Sequence, residues 1–333
     1  EASNRLDHLL QTETGVATKL SNTGLPYAAE DPFFMDVKMK KKSSLTFAVV
    51  GTGMVGTAIG FLLQKSGHNV AAVAAHLKRA ASYIRAPGFH HPAQAAKLAD
   101  CILITTPDGR IAAACAQIVS GSDVKGKKVF HMSGAGGLDL LAPAARAGAL
   151  TASIHPLQSF SSIDGAVSSI PGSYFGVTAA AGAKRLAADI VRDLQGIPIP
   201  VSAAQKPLYH AAACIASNYL VSLLSVVEAV YRSIGFSEKD ARRAYLPLVY
   251  GSLKNIENQG CPNALTGPIA RGDSETIQKH IDAMARHLPD FASMYAHLGA
   301  IAVKLAREKG TLSAAQAKEI LGMLKGAKHE HAD

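Results

Sequence analysis

The chain has 333 residues, 48% of them hydrophobic and 18% charged, which excludes a disordered or fibrous protein and leaves room for two domains of roughly 100–200 residues each. Its formal net charge of +9 is spread along the sequence, and aromatic residues make up only 6% with no tryptophan, so the charge suits anionic small molecules and not nucleic acid. Cys101, Cys115, Cys214 and Cys261 show no CxxC spacing and are expected to be reduced thiols with no metal site, in a cytoplasmic protein.

Residues 1–44 carry the breakers Gly24, Pro26 and Pro32, end in a lysine-rich run, and are expected to be a flexible leader without chemistry. From Leu45 the pattern changes. Short β-branched apolar runs alternate with alanine-rich stretches of helical length, the sign of βαβ units and a parallel sheet with helices on both faces. The expected strands are 46–50, 69–74, 101–105, 128–131 and 151–155, with a further strand at 173–177 and a last one in the segment IPIPV. Helices are expected at about 54–66, 93–98, 109–119, 138–147 and 183–194. After residue 202 the periodicity is helical only, with expected helices at 205–234, 237–259, 273–287, 290–308 and 313–325. The expected fold class is therefore α/β: a Rossmann domain at 45–202, an all-helical domain at 203–327 and a short tail at 328–333.

The segment from Leu45 to Gly56 reads as a strand running into the turn Gly51, Thr52, Gly53, Met54, Val55, Gly56. In this G-x-G-x-x-G pattern the first glycine makes the tight turn. The second lets a pyrophosphate approach the backbone, and the third lets the helix pack on the strand. The opening helix offers free N–H groups and the positive end of its dipole to phosphates. At the end of the second strand stand His76, Lys78 and Arg79 with no carboxylate. An acid there would bind a ribose 2′-hydroxyl and basic residues a 2′-phosphate, so NADP is expected over NAD. Further strands end in Thr105, Thr106 and Pro107, then in His131 to Gly134 with Ser133 among them, then in His155 to Ser159. Together they form an expected wall of cofactor and substrate contacts at the carboxyl edge of the sheet.

Residues 208–227 carry no formal charge, a length that could span a bilayer. The run also holds His210, Ser217, Asn218, Tyr219, Ser222 and Ser225, so it is read as a helix at a domain or subunit interface and not as a membrane segment. His210, Cys214, Ser217 and Asn218 are spaced to share one helical face.

Several segments together resemble the Rossmann-like proteins with a DUF2520 helical domain, a group of NADP oxidoreductases of unassigned substrate. They are VVGTGMVG at 49–56, TTPDGRI at 105–111, HMSGAGG at 131–137, HPLQSF at 155–160, YHAAACIASNYL at 209–220, LPLVYGSLKNI at 246–256 and ALTGPIARGD at 264–273. The resemblance implies a helical domain like that of 6-phosphogluconate dehydrogenase, a homodimer formed through it, and kinship with alternative ketopantoate reductases. In related reductases a lysine and an asparagine on the long helix act as acid and orienting group. Here His210 and Asn218 are expected in those roles, with no lysine on that face. Arg271 is expected to clamp a substrate carboxylate, with Asn255 and Thr266 beside it, while Asp273 is placed to cap the following helix.

The reading that follows is NADPH-dependent reduction of a small carboxylated carbonyl compound, with ketopantoate first among substrates. Two alternatives stand beside it: a non-catalytic dinucleotide sensor, and an imine reductase of the pyrroline-5-carboxylate type.

Overall fold

The computed structural model describes residues 44–74, 80 and 83–329; His76, Lys78 and Arg79, the expected 2′-phosphate contacts, lie outside the described residues. Eight strands form one sheet in the order β3-β2-β1-β4-β5-β6-β7-β8. They are β1 (Thr46–Val50), β2 (Asn69–Ala74), β3 (Gly88–Phe89), β4 (Cys101–Ile104), β5 (Lys128–His131), β6 (Leu150–Pro156), β7 (Tyr174–Ala179) and β8 (Ile197–Pro200). The helices between them are α1 (Met54–Lys65), α2 (Pro92–Lys97), α3 (Asp108–Gly121), α4 (Ala142–Arg146), α5 (Ile163–Ser169) and α6 (Lys184–Asp193).

The alternation of side chains along each strand decides how the sheet is covered. Phe47, Val49, Leu103, Phe130 and Ile154 point to one face and pack with Ile59 and Leu63 of α1 and Ile190 and Val191 of α6. Their neighbours Ala48, Val50, Ile102, Ile104 and Val129 point to the other, against Ile111, Cys115 and Ile118 of α3 and Ala95 of α2. Both faces are dry, which is why these strands read as unbroken apolar runs. Truncating one fully buried aromatic such as Phe130 would cost on the order of 3–5 kcal/mol.

One expectation needs correcting. The sheet is parallel from β3 to β6, but β7 runs antiparallel to β6, pairing Ala152 with Ala179 through Pro156 with Phe175, and β8 is parallel to β7. A parallel crossover must carry the chain back along the sheet. The seven-residue α5 is only about 10 Å long. The chain therefore enters β7 from the edge where it left β6, and the backbone N–H of Leu157 donates to the carbonyl of Tyr174 at 2.8 Å. The short β3 and α5 were not visible in the sequence pattern.

Beyond Pro200 the described chain is helical: α7 (Lys206–Ser233), α8 (Glu238–Ala264), α9 (Pro268–Arg271), α10 (Ser274–His287), α11 (Pro289–Lys309) and α12 (Ala314–His329). A π-helical turn, Ile215–Tyr219, interrupts α7, and α8 breaks at Gly260, where φ is +74°. Ser237 caps α8 by accepting from the Asp240 N–H at 3.1 Å. Ile277, Ile281, Val303, Leu312, Ile320 and Leu324 of α10, α11, α12 and the turn before α12 form the domain's own core. The two long helices α7 and α8 place only Lys206, Val226, Ala241 and Tyr245 in buried positions.

Candidate active site

The strand order reverses between β1 and β4, and in sheets of this kind ligands bind at that switch point, outside the carboxyl ends of the strands. Here a cleft of about 830 Å³ opens, within the usual size for a small-molecule site. Its floor is the turn after β1. Gly51 sits at φ +100°, and a Cβ there would come within 2.7 Å of the Thr106 amide nitrogen. A Cβ at Gly56 would lie 2.0 Å from the Gly51 carbonyl and 2.3 Å from Thr105 Oγ1. Thr105 fixes the same turn by donating its hydroxyl to the Gly51 carbonyl at 2.5 Å. A Cβ at Gly53, by contrast, would meet nothing within 4 Å, because that glycine faces open space.

Two observations fit this cradle to a phosphate-bearing ligand. No side chain caps the N-terminus of α1 and its first turn carries no acid, so its N–H groups and dipole are free for an anion. The Thr52 and Thr106 hydroxyl oxygens are buried without a hydrogen-bond partner, a costly state that a ligand in the cleft would relieve. Gly51, Thr52, Gly53, Met54, Val55, Thr105, Thr106 and Pro107 all line the cleft, while Gly56 backs the turn. His90 and His91 after β3, Arg110 and Gln117 of α3, and Ala74 at the end of β2 also line it.

At its other end the cleft is walled by Asp108, Met132 and His155. Behind them lies a network centred on Ser133. Its hydroxyl donates to Asp108 Oδ2 at 2.6 Å and accepts from the Gly136 N–H at 2.7 Å. Its own N–H donates to His131 Nδ1 at 3.1 Å, which leaves His131 Nε2–H to donate to the Gly137 carbonyl at 3.0 Å. Its carbonyl accepts from Ser153 Oγ at 3.1 Å and from Lys206 Nζ at 2.9 Å. Ser133 thus shapes the loop instead of facing the cleft, and it is 3% exposed.

The helical domain reaches this network through the first turns of α7. Tyr209 Oη is 3.1 Å from His155 Nδ1, and the His210 ring stands edge-on to the His155 ring with centroids 5.9 Å apart. Both histidines press on Gly134: a Cβ there would lie 2.4 Å from His210 Cδ2 and 2.8 Å from His155 Nε2. Burial, reinforced by the neighbouring Lys206 charge, pushes the pKa of His155 down to about 4, so its imidazole is neutral at pH 7. Burial does the same to His131, helped by a smaller effect of Lys206 and against the opposing pull of its Gly137 hydrogen bond, also down to about 4.

Lys206 corrects the expectation that α7 carries no lysine on this face. It stands one turn before His210 on the same side of the helix, is 1% exposed, and bonds to the sheet domain. The signal available was its i, i+4 spacing to His210. Tyr209 was likewise missed, because a tyrosine at the start of an apolar helix reads as packing.

The remaining expected residues are not brought to the cleft within one chain. Asn218 is exposed two turns beyond His210, and its carbonyl accepts from Ser222 at 3.2 Å. Asn255 lies on the exposed flank of α8, and Thr266 and Arg271 are exposed around the short α9. Of the helices that carry Asn255 and Arg271, α8 packs on α7 and α11, and α9 packs on α10 and α11. Asp273 caps α10 as expected, accepting from the Thr276 N–H at 3.0 Å. The cysteines are all free: Cys101 and Cys115 are buried, Cys214 is half-buried and Cys261 is exposed. Among the described residues no cluster of histidine, cysteine and carboxylate side chains could hold a metal.

Comparison with known proteins follows this division. Residues 34–156 match a Rossmann-like domain and residues 173–302 match DUF2520, a domain of unknown function. No curated protein matches the chain. Among solved structures, a candidate NADP oxidoreductase from Bacteroides fragilis is similar at 17% identity and a TM-score of 0.65, covering 78% of this chain and 98% of its own. A Thermotoga maritima protein is similar at 20% identity and a TM-score of 0.64, covering 80% and 99%. The pyrroline carboxylate reductase of Plasmodium falciparum, solved with NADP bound, is similar at 12% identity and a TM-score of 0.53, covering 84% and 98%. At these identities the likeness is one of fold.

Proposed function

We propose that this chain, which belongs to the Rossmann-like proteins with a DUF2520 helical domain, is an NADPH-dependent reductase of a small carboxylated carbonyl compound. One observation carries the reading: a single cleft has a dinucleotide-type glycine turn at one end and, at the other, a histidine held by the helical domain. The NADP oxidoreductases of the same fold support it.

Gly51, Gly53 and the α1 N-terminus would hold the pyrophosphate, with the Thr52 and Thr106 hydroxyls as further donors. NADPH, when bound, supplies a hydride. The work left to the protein is to polarise the acceptor and exclude water. With Tyr209 O–H donating to Nδ1, His155 carries its proton on Nε2. A neutral imidazole in that state donates a hydrogen bond to the substrate oxygen without placing a full charge in the cleft. His210 packs against it from the helical side.

The test is loss of NADPH absorbance with 2-oxo acids, ketopantoate first. Turnover is expected, and His155→Ala should lower kcat by ~10²-fold while NADPH still binds. Absence of turnover from protein that binds NADPH would sink the reductase reading and leave the dinucleotide sensor. Imine reduction is a second reading, favoured by the fold shared with pyrroline carboxylate reductase, and cyclic imines belong in the same assay.

The exposed apolar side of the helical domain belongs to the same proposal. Leu208, Ile215, Tyr219 and Val221 of α7 and Leu248, Tyr250 and Leu253 of α8 are all exposed. Soluble monomers rarely show so continuous a patch. Lys206–Ser233 is also long and apolar enough to cross a membrane. Its first turns, however, carry Lys206, Tyr209 and His210 into the active site, so a second copy of the chain is the occupant we assign to this face. Light scattering should return a dimer mass. A monomer mass would overturn the assignment, as would binding to lipid vesicles in its place.

A further inference from the structure

Ion pairs among the described residues lie mostly on the surface, yet a lysine sits at the centre of the contact between the two domains with no carboxylate bonded to it. Lys206 begins α7, is 1% exposed, and spends its ammonium on two neutral acceptors of the sheet domain, the Ser133 carbonyl at 2.9 Å and Ser153 Oγ at 2.8 Å. Burying an ammonium whose nearest carboxylate, Asp108, is not bonded to it costs several kcal/mol, so a purely structural contact would be better made by an apolar side chain. Both acceptors belong to the active site: Ser133 orders the 133–137 loop and holds Asp108 at the cleft, and Ser153 stands two residues before His155 on β6.

We propose that Lys206 is a positioning residue of the active site, which ties the Ser133 loop and β6 to the helical domain and holds His155 as a neutral hydrogen-bond donor. The kinetic part of this inference rests on the reductase reading. The placement of His155 does not.

The groups facing the ammonium are Asp108 from α3, His131 from β5 and His155 from β6; His210, one turn on along its own helix, faces His155. Burial lowers the Lys206 pKa to about 8, against the smaller opposing pull of Asp108. At neutral pH the lysine is therefore mostly charged, and its field adds to burial in keeping protons off both sheet histidines. Above about pH 8 the charge is lost. The tie to Ser133 weakens, and the rate should fall along an alkaline limb.

Lys206→Met keeps the length and volume of the side chain and removes charge and donors. Kinetics, NADPH titration and histidine-selective NMR are to be read on this variant and on wild type. The variant is expected to bind NADPH within ~3-fold of wild type, because the lysine does not touch the glycine turn, while kcat falls by ~10²-fold. The alkaline limb near pH 8 should disappear, and the His155 resonance should titrate at higher pH than in wild type. Ser153→Ala removes one of the two acceptors and should give the same spectral shift at lower amplitude, which keeps the inference testable if Lys206→Met fails to fold. If His155 titrates as in wild type in whichever of these variants folds, the inference is overturned. It is also overturned if the alkaline limb survives in Lys206→Met. A shifted His155 in a protein that reduces nothing would sustain the inference and retire the reductase reading.

Discussion

Phe47, Phe130 and Phe175 of the sheet domain are sealed from solvent, whereas Leu208, Val221 and Leu248 of the helical domain are 78%, 68% and 69% exposed. The sheet domain closes both of its apolar faces with its own helices, and the extensive clusters on either side leave few large apolar side chains outside. The helical domain has one compact core around α10, α11 and α12, while α7 and α8 present apolar flanks that no other described residue covers. The first domain carries the glycine turn. The second leaves an apolar flank exposed, and among the described residues it meets the candidate site through the first turns of α7.

The largest expected effect breaks the self-sufficient half. Gly56→Ala places a methyl 2.0 Å from the Gly51 carbonyl and should cost ~3 kcal/mol or more, seen as a lower Tm and lost NADPH binding. Gly53→Ala, at a glycine with open space around it, should leave Tm nearly unchanged and weaken NADPH binding alone.

Acid comes next. His131 and His155 stay neutral down to about pH 4 in the fold but protonate near 6.5 when unfolded. The unfolded chain therefore binds more protons between those values, and stability falls as pH drops from 6.5 toward 4, by about 3 kcal/mol per histidine. Urea unfolding across that range should show the loss at the sheet domain. Equal stability at pH 4.5 and 7 would contradict it.

Tyr209→Phe removes the partner of His155 Nδ1. It should lower kcat about tenfold, the worth of roughly one hydrogen bond, with NADPH affinity unchanged. Smallest of all for the isolated chain is Leu248→Glu on the exposed flank of α8. It should change unfolding free energy by no more than ~0.5 kcal/mol yet abolish dimerisation, which light scattering would read. If it instead destabilises the chain strongly, the helical domain is not the open surface described here.

Legibility in the sequence follows the same division. The glycine turn and the edges at Thr105 and His155 were readable because backbone geometry demands glycine there and because strand ends fall at the carboxyl edge of the sheet. The antiparallel reversal at β7 was not readable, since it depends on how far α5 can carry the chain and not on local pattern. On the helices, spacing placed His210 and the capping rule placed Asp273, but local pattern does not say which helix meets the sheet domain, and within one chain Asn255 of α8 and Arg271 of α9 do not line the cleft. Lys206 was hidden because a lone lysine at a helix start looks like a solvated end. Only the tertiary contact with Ser133 and Ser153 shows that it is buried.

Gly134 links these regions in a further way. It is the point where a ring from each domain touches the same backbone, and the space for its absent Cβ is the clearance between them. Any swing of the helical domain away from the sheet must part His210 from His155, admit water, and let His155 recover its ordinary affinity for protons. By linkage, such an opening would be accompanied by proton uptake between about pH 4 and 6.5. A bulkier residue at 134 would hold the joint ajar without acid: Gly134→Ala should shift the His155 titration upward, and an unshifted titration would show that the two domains do not part there.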